Sequence, residues 1–357
     1  MPTYKDESKN TWYCKFYYKD WMGKRKQKKK EGFKTQREAK EFEREFIRNS
    51  KDDCTISFVK LSELYLNDCD KRLKQTSIKS KKTIIKRWII PYFEALSLDQ
   101  INPNRIRAWQ NEMISYRNKY GKSLSSRYLH SVNTQLISIL NYAKRYYGLK
   151  ENPALLCGHI GRVKSNTMQF WTLEEYKRFI QTQDDITFKL IFELLFWTGM
   201  RSGELLALTL NDFDIEAKTV SINKTYSRID KKDIITSPKT HKGNRVISIP
   251  EFICDELLEY VNKLYDYQPN ERLFINIFRR TYTKVFKNGC SECGVKRIRI
   301  HDLRHSHASL LIEQGYSPLI IAERLGHENI NTTLQIYSHL YPNKQGEVAD
   351  KLEELNK

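Results

Sequence analysis

The sequence lacks any apolar run long enough to cross a bilayer. Its longest hydrophobic stretch, from Leu190 to Trp197, is interrupted by Glu193, whereas a spanning helix needs about 20 apolar residues. Clustered carboxylates are lacking as well, and neither an internal repeat nor a low-complexity tract is apparent. These absences argue against a membrane protein and against a nuclease or transposase that binds catalytic metal through carboxylates.

The sequence also lacks a pair of CxxC motifs. The seven cysteines are odd in number and scattered, and we recognise no N-terminal secretory signal, so we expect a reducing, cytoplasmic setting in a bacterial cell. Cys290 and Cys293 form a single CxxC, which could supply half of a zinc site. Because no second CxxC exists, two ordinary thiols are the favoured interpretation.

Positive charge, in contrast, is abundant. The 357 residues contain 62 Lys and Arg against 43 Asp and Glu, a formal net charge of +19. Such an excess favours a polyanionic partner, of which nucleic acid is the commonest, although a merely basic or ribosome-associated protein is an alternative. The length allows two or three domains, and the 39% hydrophobic content indicates that most of the chain folds.

Two N-terminal segments have different periodicities. Residues 1–52 begin with an alternating stretch, TWYCKFYYK, then the basic run KRKQKKK, and then a capping pair, Thr35 and Glu38, that opens a helix. A basic strand with exposed aromatics suits a DNA surface, and a solvated hairpin is the alternative. Residues 56–150 repeat apolar positions at helical spacing, with Asn102 as one cap, and predict a four-helix module.

The rest of the chain predicts a linker and a larger domain. Residues 151–166 are the predicted linker, in which Pro153 breaks a helix. Residues 167–357 open with another capping pair, Thr172 and Glu175, and predict helices around three short strands. The expected fold is therefore multidomain and mainly α with small β-sheets, an α+β organisation.

Three short segments carry residues suited to phosphate chemistry, and the first contains Arg201. This arginine follows an apolar run, in TGMRSGELLAL, and precedes a new helix. A guanidinium at the positive end of a helix dipole is a natural phosphate ligand. A structural ion pair with Glu204 is the alternative.

The second segment is IRIHDLRHSHASLL, residues 298–311. His301 and Arg304 are three residues apart and should share a helix face. An imidazole beside a guanidinium suits a phosphodiester, since one group can exchange a proton while the other neutralises charge. Zinc binding by His301, His305 and His307 is an alternative, but helical spacing does not put all three on one side.

The third segment is SPLIIAERLGHENINTTLQIYSHL. Ser317 should begin a helix and Gly326 should end it, so that His327 emerges just beyond the cap. Thr332 is predicted to open a further short helix that contains Tyr337. Taken alone, Tyr337 could be a packing residue, and the segment could equally be a DNA-reading helix-turn-helix.

Together the three segments resemble the tyrosine recombinase family, and phage and conjugative-transposon integrases in particular. The polar residues that match in type and order are Arg201, His301, Arg304, His327 and Tyr337. That family also uses a lysine on a β-hairpin between the two arginines; in SPKTHKGNRVISIP we assign Lys239, with Lys242 as the competitor. Residues 1–50 resemble the family's arm-type DNA-binding domain through GFKTQREA and the basic hairpin, and residues 56–150 resemble its helical core-binding domain.

The resemblance implies a site-specific recombinase that cleaves and rejoins DNA through a 3′-phosphotyrosyl intermediate, integrating and excising a mobile element. Arg201 and Arg304 would clamp the scissile phosphate and Tyr337 would attack it. His301 would be the base, Lys239 would protonate the departing oxygen, and His327 would hydrogen-bond the phosphate. No cofactor, metal or ATP is implied, because the cationic side chains do what metals do in other nucleases.

The implied partners are double-stranded DNA with core-type and arm-type attachment sites, and further copies of the chain in a homotetramer on DNA. An excision factor and a host DNA-bending protein are candidate accessory proteins. The tail EVADKLEELNK, with Val348, Leu352 and Leu355, is expected to dock on a neighbouring protomer or on its own domain. A binding-only regulator and a type IB topoisomerase are the alternative functions; the arm-like N-terminus favours an integrase.

Overall fold

The structure is a computed structural model that describes residues 3–7, 11–19, 25–50, 56–162, 168–238, 240–338 and 353–354. The chain divides into two compact units, Met1–Ser165 and Asn166–Lys357. In the described part of the chain, no helix is both long and apolar enough to cross a membrane.

The first unit opens with a three-stranded antiparallel sheet, which we call the arm sheet, followed by a helix. Its strands are β1 (Thr3–Asp6), β2 (Thr11–Lys19) and β3 (Arg25–Phe33), in the order β1-β2-β3, and helix α1 spans Gln36–Ser50. The predicted capping pair is confirmed: the Glu38 backbone N–H donates to Thr35 Oγ1 at 3.2 Å, and the Thr35 N–H donates to Glu38 Oε2 at 3.4 Å.

Alternation along β2 gives the arm sheet two unlike faces. Cys14 and Phe16 are buried and cluster with Ala39 of α1. Tyr17 lies on the opposite face and is 54% exposed, because neighbouring residues of a strand point to opposite sides of the sheet. One face therefore holds the small core of this region, and the other meets solvent.

The helical part of the first unit follows. It comprises α2 (Phe58–Arg72), α3 (Gln75–Ile84), a π-helical turn (Ile85–Ile89), α4 (Ile90–Phe93), a 3-10 turn (Leu98–Gln100), α5 (Pro103–Ser115), α6 (Ser126–Tyr146) and α7 (Pro153–Cys157). Their apolar faces enclose one core that includes Phe58, Phe93 and Trp109. The predicted cap at Asn102 is confirmed, since its Oδ1 accepts from the Arg105 N–H at 3.0 Å.

Pro153 opens α7, and the expectation that it breaks a helix was wrong. Proline fits the first turn of a helix because its fixed φ is helical and the N–H that it lacks would have no intrahelical partner there. Ala154 and Ile160 join the core of the helical part, and Asn152 Nδ2 donates to the Ile137 carbonyl at 3.0 Å. Much of the segment predicted as a linker thus packs against the helices before it; the domain boundaries themselves stay predictions.

The second unit combines helices with two small sheets. Strands β4 (Phe213–Asp214), β5 (Thr219–Ile222) and β8 (Arg245–Ser248) form one antiparallel sheet, while β6 (Thr225–Ile229) and β7 (Lys232–Thr236) form a hairpin. The helices are α8 (Leu173–Ile180), α9 (Ile186–Thr198), α10 (Ser202–Leu205), α11 (Glu251–Asn262), α12 (Arg279–Glu292), α13 (Asp302–Glu313), α14 (Pro318–Leu325) and α15 (Ile330–Tyr337). The three predicted strands correspond to β5, β7 and β8, whereas β4 and β6 were not predicted. The Thr172–Glu175 capping box is confirmed.

Helix α9 is the centre of this unit. From Leu190 to Thr198 all of its residues except Trp197 are buried, which explains why this part of the helix is apolar on nearly every side. Its one buried carboxylate, Glu193, accepts a 2.8 Å hydrogen bond from the Tyr176 hydroxyl. The helix ends at Gly199, whose φ of 64° is left-handed, and this tight exit delivers Arg201 to the surface of the core.

Candidate active site

Arg201 stands at the N-terminus of α10 and is held by Glu204. The Arg201 backbone N–H donates to Glu204 Oε2 at 2.9 Å, and its Nη1 contacts Oε1 at 2.8 Å. The Arg201 side chain nevertheless stays 42% exposed, whereas that of Glu204 is 2% exposed. The pair therefore fixes one edge of the guanidinium and leaves the rest open to a ligand.

Glu204 is shared with a second arginine, Arg245 of β8, which the sequence analysis missed. Arg245 Nη2 lies 2.9 Å from Glu204 Oε2, and its Nε donates to the Arg324 carbonyl at 2.8 Å. Burial alone would raise the pKa of Glu204, but the Arg245 and Arg201 guanidiniums hold that pKa below its usual value. One carboxylate thus serves two guanidiniums, and the group keeps net positive charge.

Arg304, on α13, is almost fully buried, with 3% exposure. Its Nη1 donates to the Gly199 carbonyl at 2.9 Å and its Nη2 to the Leu325 carbonyl at 2.6 Å. Among the residues that the structure describes it forms no ion pair. Burial and the nearby Arg201 lower the pKa of Arg304 to about 9, so its charged form lacks stabilisation that a bound anion would provide.

The Gly199 turn makes this geometry possible. Gly199 adopts the left-handed conformation, and a Cβ at this position would lie 2.7 Å from both the His307 ring and the Leu325 side chain. A larger residue would therefore be strained and would also push α13 and α14 away from the turn. The backbone carbonyl that holds Arg304 depends on this glycine.

Tyr337, at the end of α15, lies beside His305, the first histidine of α13. Its hydroxyl is 2.7 Å from His305 Nδ1, and the side chain is 1% exposed. Burial raises the pKa of Tyr337, and the charge of Arg304 offsets part of that effect. A hydroxyl in these surroundings is protonated at neutral pH and needs a proton acceptor before it can attack phosphorus.

His301 precedes α13, and its ring centroid lies 5.5 Å from that of His305. Solvent reaches the His301 side chain, but the protein packed around its ring desolvates it, and this effect, together with His305 and Arg304, lowers the pKa of His301 to about 4. The imidazole is therefore neutral at physiological pH. Within the described residues it makes no hydrogen bond to Tyr337.

His327 emerges beyond Gly326, which ends α14 in the left-handed conformation as predicted. His327 Nδ1 lies 2.7 Å from the Thr333 hydroxyl. Burial, followed by Arg304 and Arg201, lowers the pKa of His327 to about 3. The next helix, α15, begins at Ile330 with Asn329 as its cap, so the expectation that Thr332 opens it was wrong by two residues.

The two candidate lysines differ in what can be said of them. Lys239 lies outside the described residues, as do Val348, Leu352 and Leu355 of the tail. Lys242 lies in a 3-10 turn just before β8, on the wall of a 650 Å³ cleft that also includes Arg245 and His327. The choice between Lys239 and Lys242 stays a prediction.

The zinc alternative is not supported by the positions of the three histidines. His307 is 3% exposed and accepts a 3.0 Å hydrogen bond from Arg324 Nε, whereas the His305 ring contacts Tyr337 and the His301 ring meets that of His305 edge to face. The described residues contain no group of three or more potential metal ligands. Cys290 is buried on α12, and Cys293 Sγ lies 3.0 Å from the Gly289 carbonyl.

The structure adds residues around the candidate site that the sequence did not reveal. They are Arg245, Arg324 and Thr333, and the structure also shows that His305 contacts Tyr337. Arg324 joins three elements, since it donates to His307, to the Ser248 carbonyl at 3.1 Å and to the Trp197 carbonyl at 3.0 Å. No local motif distinguishes Arg245 and Arg324, because most of their partners lie far away in the sequence. Thr333 contacts His327, which is six residues away.

Comparison with known proteins identifies the family to which this arrangement belongs. Residues 169–344 match the phage integrase family, residues 2–50 match an arm DNA-binding domain, and residues 57–114 match the N-terminal SAM-like domain of phage integrases. The chain is 32% identical over 333 residues to the ICEBs1 integrase of Bacillus subtilis (strain 168), with 88% of this chain and 87% of that protein covered. It is 27% identical over 321 residues to the integrase of Staphylococcus phage L54a, with 79% and 88% covered.

The fold has solved counterparts as well. The Tn1549 transposon integrase in complex with transposon right end DNA aligns with a TM-score of 0.66 at 18% identity, over 83% of this chain and 99% of that one. A lambda integrase dimer bound to a COC′ core site aligns with a TM-score of 0.56, also at 18% identity, over 94% of this chain and 93% of that one.

The fold and the cluster of arginines, histidines and tyrosine define a tyrosine-type site-specific recombinase. The chain belongs to the phage integrase family, and its function is that of a mobile-element integrase.

Proposed function

We propose that Arg201 and Arg304 bind the two non-bridging oxygens of one scissile DNA phosphate. The observation that carries this proposal is the Arg304 guanidinium, which is buried and held by two backbone carbonyls without a described ion-pair partner. A buried cation of this kind is stabilised when an anion arrives. As phosphorus becomes pentacoordinate, negative charge grows on those oxygens, and preorganised donors stabilise it without reorganisation.

Tyr337 is the nucleophile in this proposal. Its oxygen attacks phosphorus, a phosphotyrosyl bond forms, and the bond from phosphorus to the 5′ oxygen breaks. The departing oxygen takes a proton from Lys239. The Tyr337 proton passes to the pair formed by His305, which contacts the hydroxyl, and His301, the base that the resemblance implies. The energy of the broken ester is kept in the new one, so that neither ATP nor a metal ion takes part in rejoining. His327 hydrogen-bonds the same phosphate.

The substrates would be double-stranded attachment sites. The helical part of the first unit and the second unit would hold the core-type site, and the arm sheet, whose exposed face is basic and aromatic, would hold an arm-type site. A homotetramer on two DNA sites would exchange strands in the bacterial cytoplasm, with the C-terminal tail docked on a neighbouring protomer or on its own domain. An excision factor and a host DNA-bending protein would set direction and geometry.

The first test uses a core-site duplex that carries a nick, so that the cleaved fragment diffuses away. The wild-type protein should accumulate as a covalent adduct that survives detergent and forms in excess EDTA. Tyr337→Phe should leave no detectable adduct while retaining DNA binding, because it removes one hydroxyl at a cost of about 1 kcal/mol in stability. Tyr316→Phe, at a tyrosine that is 48% exposed, is the matched control and should react like wild type.

An adduct that maps to a residue other than Tyr337 would overturn the assignment of the nucleophile. Strict dependence on a divalent metal would overturn the proposal that cationic side chains replace metals.

A second test addresses the division of labour between the segments. Deleting residues 1–52 should abolish binding to arm-type DNA and spare cleavage at the core site, because the arm sheet and α1 have their own small core. Binding to each DNA and adduct formation are measured on the same preparation. Loss of core-site cleavage from a truncated protein that is still folded would contradict the predicted boundary.

A further inference from the structure

His305 contacts the nucleophile directly, although the resemblance to the family gave it no role. It follows Arg304 on α13, and its Nδ1 lies 2.7 Å from the Tyr337 hydroxyl. The ring centroids of the two residues are 5.6 Å apart. Because the tyrosine side chain is 1% exposed, solvent has little access to take a proton from it.

We propose that His305 Nδ1 is the immediate acceptor of the Tyr337 proton during DNA cleavage. The inference rests on the proposed function, in which Tyr337 is the nucleophile. As the Tyr337 oxygen forms its bond to phosphorus, the O–H proton moves to Nδ1 and His305 becomes an imidazolium. During rejoining the 5′ hydroxyl attacks phosphorus and returns its proton to Lys239, the phosphotyrosyl bond breaks, and the imidazolium returns its proton to the tyrosine oxygen. Atoms and charge balance over the cycle.

The surroundings of His305 keep its imidazole ready to accept. Burial lowers the pKa of His305, so the ring is neutral at physiological pH and Nδ1 can carry a lone pair. The titratable and charged groups that face it are Arg299, His301, Asp302, Arg304, His327 and Tyr337. Asp302 stabilises the imidazolium once it forms, and the arginines favour return of the proton.

His301 is separated from the Tyr337 hydroxyl by His305. Its ring contacts His305 and forms no hydrogen bond to Tyr337 within the described residues, and the charges of Arg304 and Arg201 act on it. This position suits a group that faces the phosphate. The proton of Tyr337 therefore meets His305 first, and His301 can act only after it.

The decisive variant is His305→Asn, because the asparagine side chain can place a hydrogen-bonding atom near the position of Nδ1 but cannot take up a proton at neutral pH. Adduct formation on the nicked core site is measured in single turnover between about pH 6 and pH 9. At pH 7 we expect cleavage about 100-fold slower than wild type with unchanged DNA binding. The deficit should shrink about tenfold per pH unit as hydroxide removes the proton instead.

Arg201→Ala is the matched control. It slows cleavage by removing a phosphate ligand, so its deficit should be nearly constant over the same pH range. A second measurement replaces Tyr337 with a fluorotyrosine of lower pKa, which should accelerate His305→Asn more than wild type. His305→Gln provides a further variant should the asparagine protein fail to fold.

A His305→Asn deficit that is independent of pH and is not relieved by fluorotyrosine would overturn the proposal, and so would a cleavage rate equal to wild type. Failure of the proposed function itself would be distinguishable. In that case Tyr337→Phe would still form an adduct, whatever the His305 variants did.

Discussion

The arm sheet and the active site both present cations, but the two regions hold them in opposite ways. On β3 every residue from Arg25 to Gly32 is exposed, and four of its cations lie over aromatic rings. Among them, Arg25 lies 4.1 Å from the Tyr17 ring centroid and Lys29 lies 4.9 Å from that of Tyr13. Arg304, in contrast, is buried and bound to backbone carbonyls. The cations of the two regions therefore carry the same charge but differ in how far water solvates them.

That difference determines what each region can recognise. Exposed cations keep their hydration and gain affinity for DNA mainly by releasing counterions from phosphates, which is sensitive to salt and tolerant of position. A desolvated arginine held by Gly199 and Leu325 has already given up its water, and its donors point at one location. We therefore expect the arm sheet to hold a DNA backbone and the cluster around Arg304 to act on one phosphate.

The largest expected effect comes from Arg304→Lys, which tests the planar geometry of the guanidinium separately from its charge. Arg304→Lys keeps the positive charge but loses the planar fork that bonds two carbonyls and leaves donors for phosphate. We expect adduct formation at least about 100-fold slower, corresponding to about 3 kcal/mol of transition-state stabilisation. Rates are measured in single turnover on the nicked core site.

The matched control is Arg25→Lys on the arm sheet, where the cation is exposed. Arm-site affinity of this variant should equal that of wild type, because hydration compensates for the lost fork. A loss of arm-site affinity as large as the loss of cleavage rate in Arg304→Lys would abolish the distinction drawn between the two regions.

Acid should affect the two regions differently as well. Residues 1–52 contain no histidine, whereas in the second unit burial and the neighbouring Arg324 lower the pKa of His307 to about 3. The unfolded chain then binds a proton that the folded unit does not, so stability is complete above about pH 6.5 and is lost as pH falls towards the folded pKa. From pH 7 to pH 5 we expect a loss of about 2 kcal/mol from this group alone.

Hydrogen exchange, corrected for intrinsic rates, checks this expectation at the level of segments. Protection of α9 and α13 should fall between pH 7 and pH 5, while protection of α1 should change little. An equal loss of protection in α1 would show that the buried histidine is not the cause.

The sequence predicted elements whose signals are local, and it missed contacts between distant residues. Capping pairs such as Thr172 and Glu175 are three residues apart, so they were found correctly. Pro153 was misjudged because a proline that ends one helix and a proline that begins another look alike without their packing. The apolar periodicity of the helices and the alternation in β2 were sufficient for the fold class.

The same limit applies to the site. Arg201, His301, Arg304, His327 and Tyr337 were proposed from their motif segments, and their functions stay predictions. Arg245 and Arg324 could not be found in this way, because most of the groups that they contact lie at least 41 residues away. The exceptions are Gly243, which Arg245 contacts, and His307, which Arg324 contacts. His305 was visible beside Arg304, but only the approach of α15 to α13 shows that it meets the tyrosine.

The smallest expected effect concerns the aromatic side of the arm sheet. Tyr17→Leu removes the ring beneath Arg25 but leaves the charge, so we expect arm-site affinity to fall only about two- to fivefold, the equivalent of 0.5–1 kcal/mol for an exposed cation–π contact. Binding is measured by titration over a range of salt concentrations. Lys29→Ala is the companion variant, and it should instead reduce the slope of log affinity against log salt by about one, because one phosphate contact and its counterion are lost. If Tyr17→Leu also reduced that slope, the ring would be fixing the Arg25 charge against a phosphate; an unchanged slope with the small loss in affinity would mean that the ring contacts the DNA through its own surface.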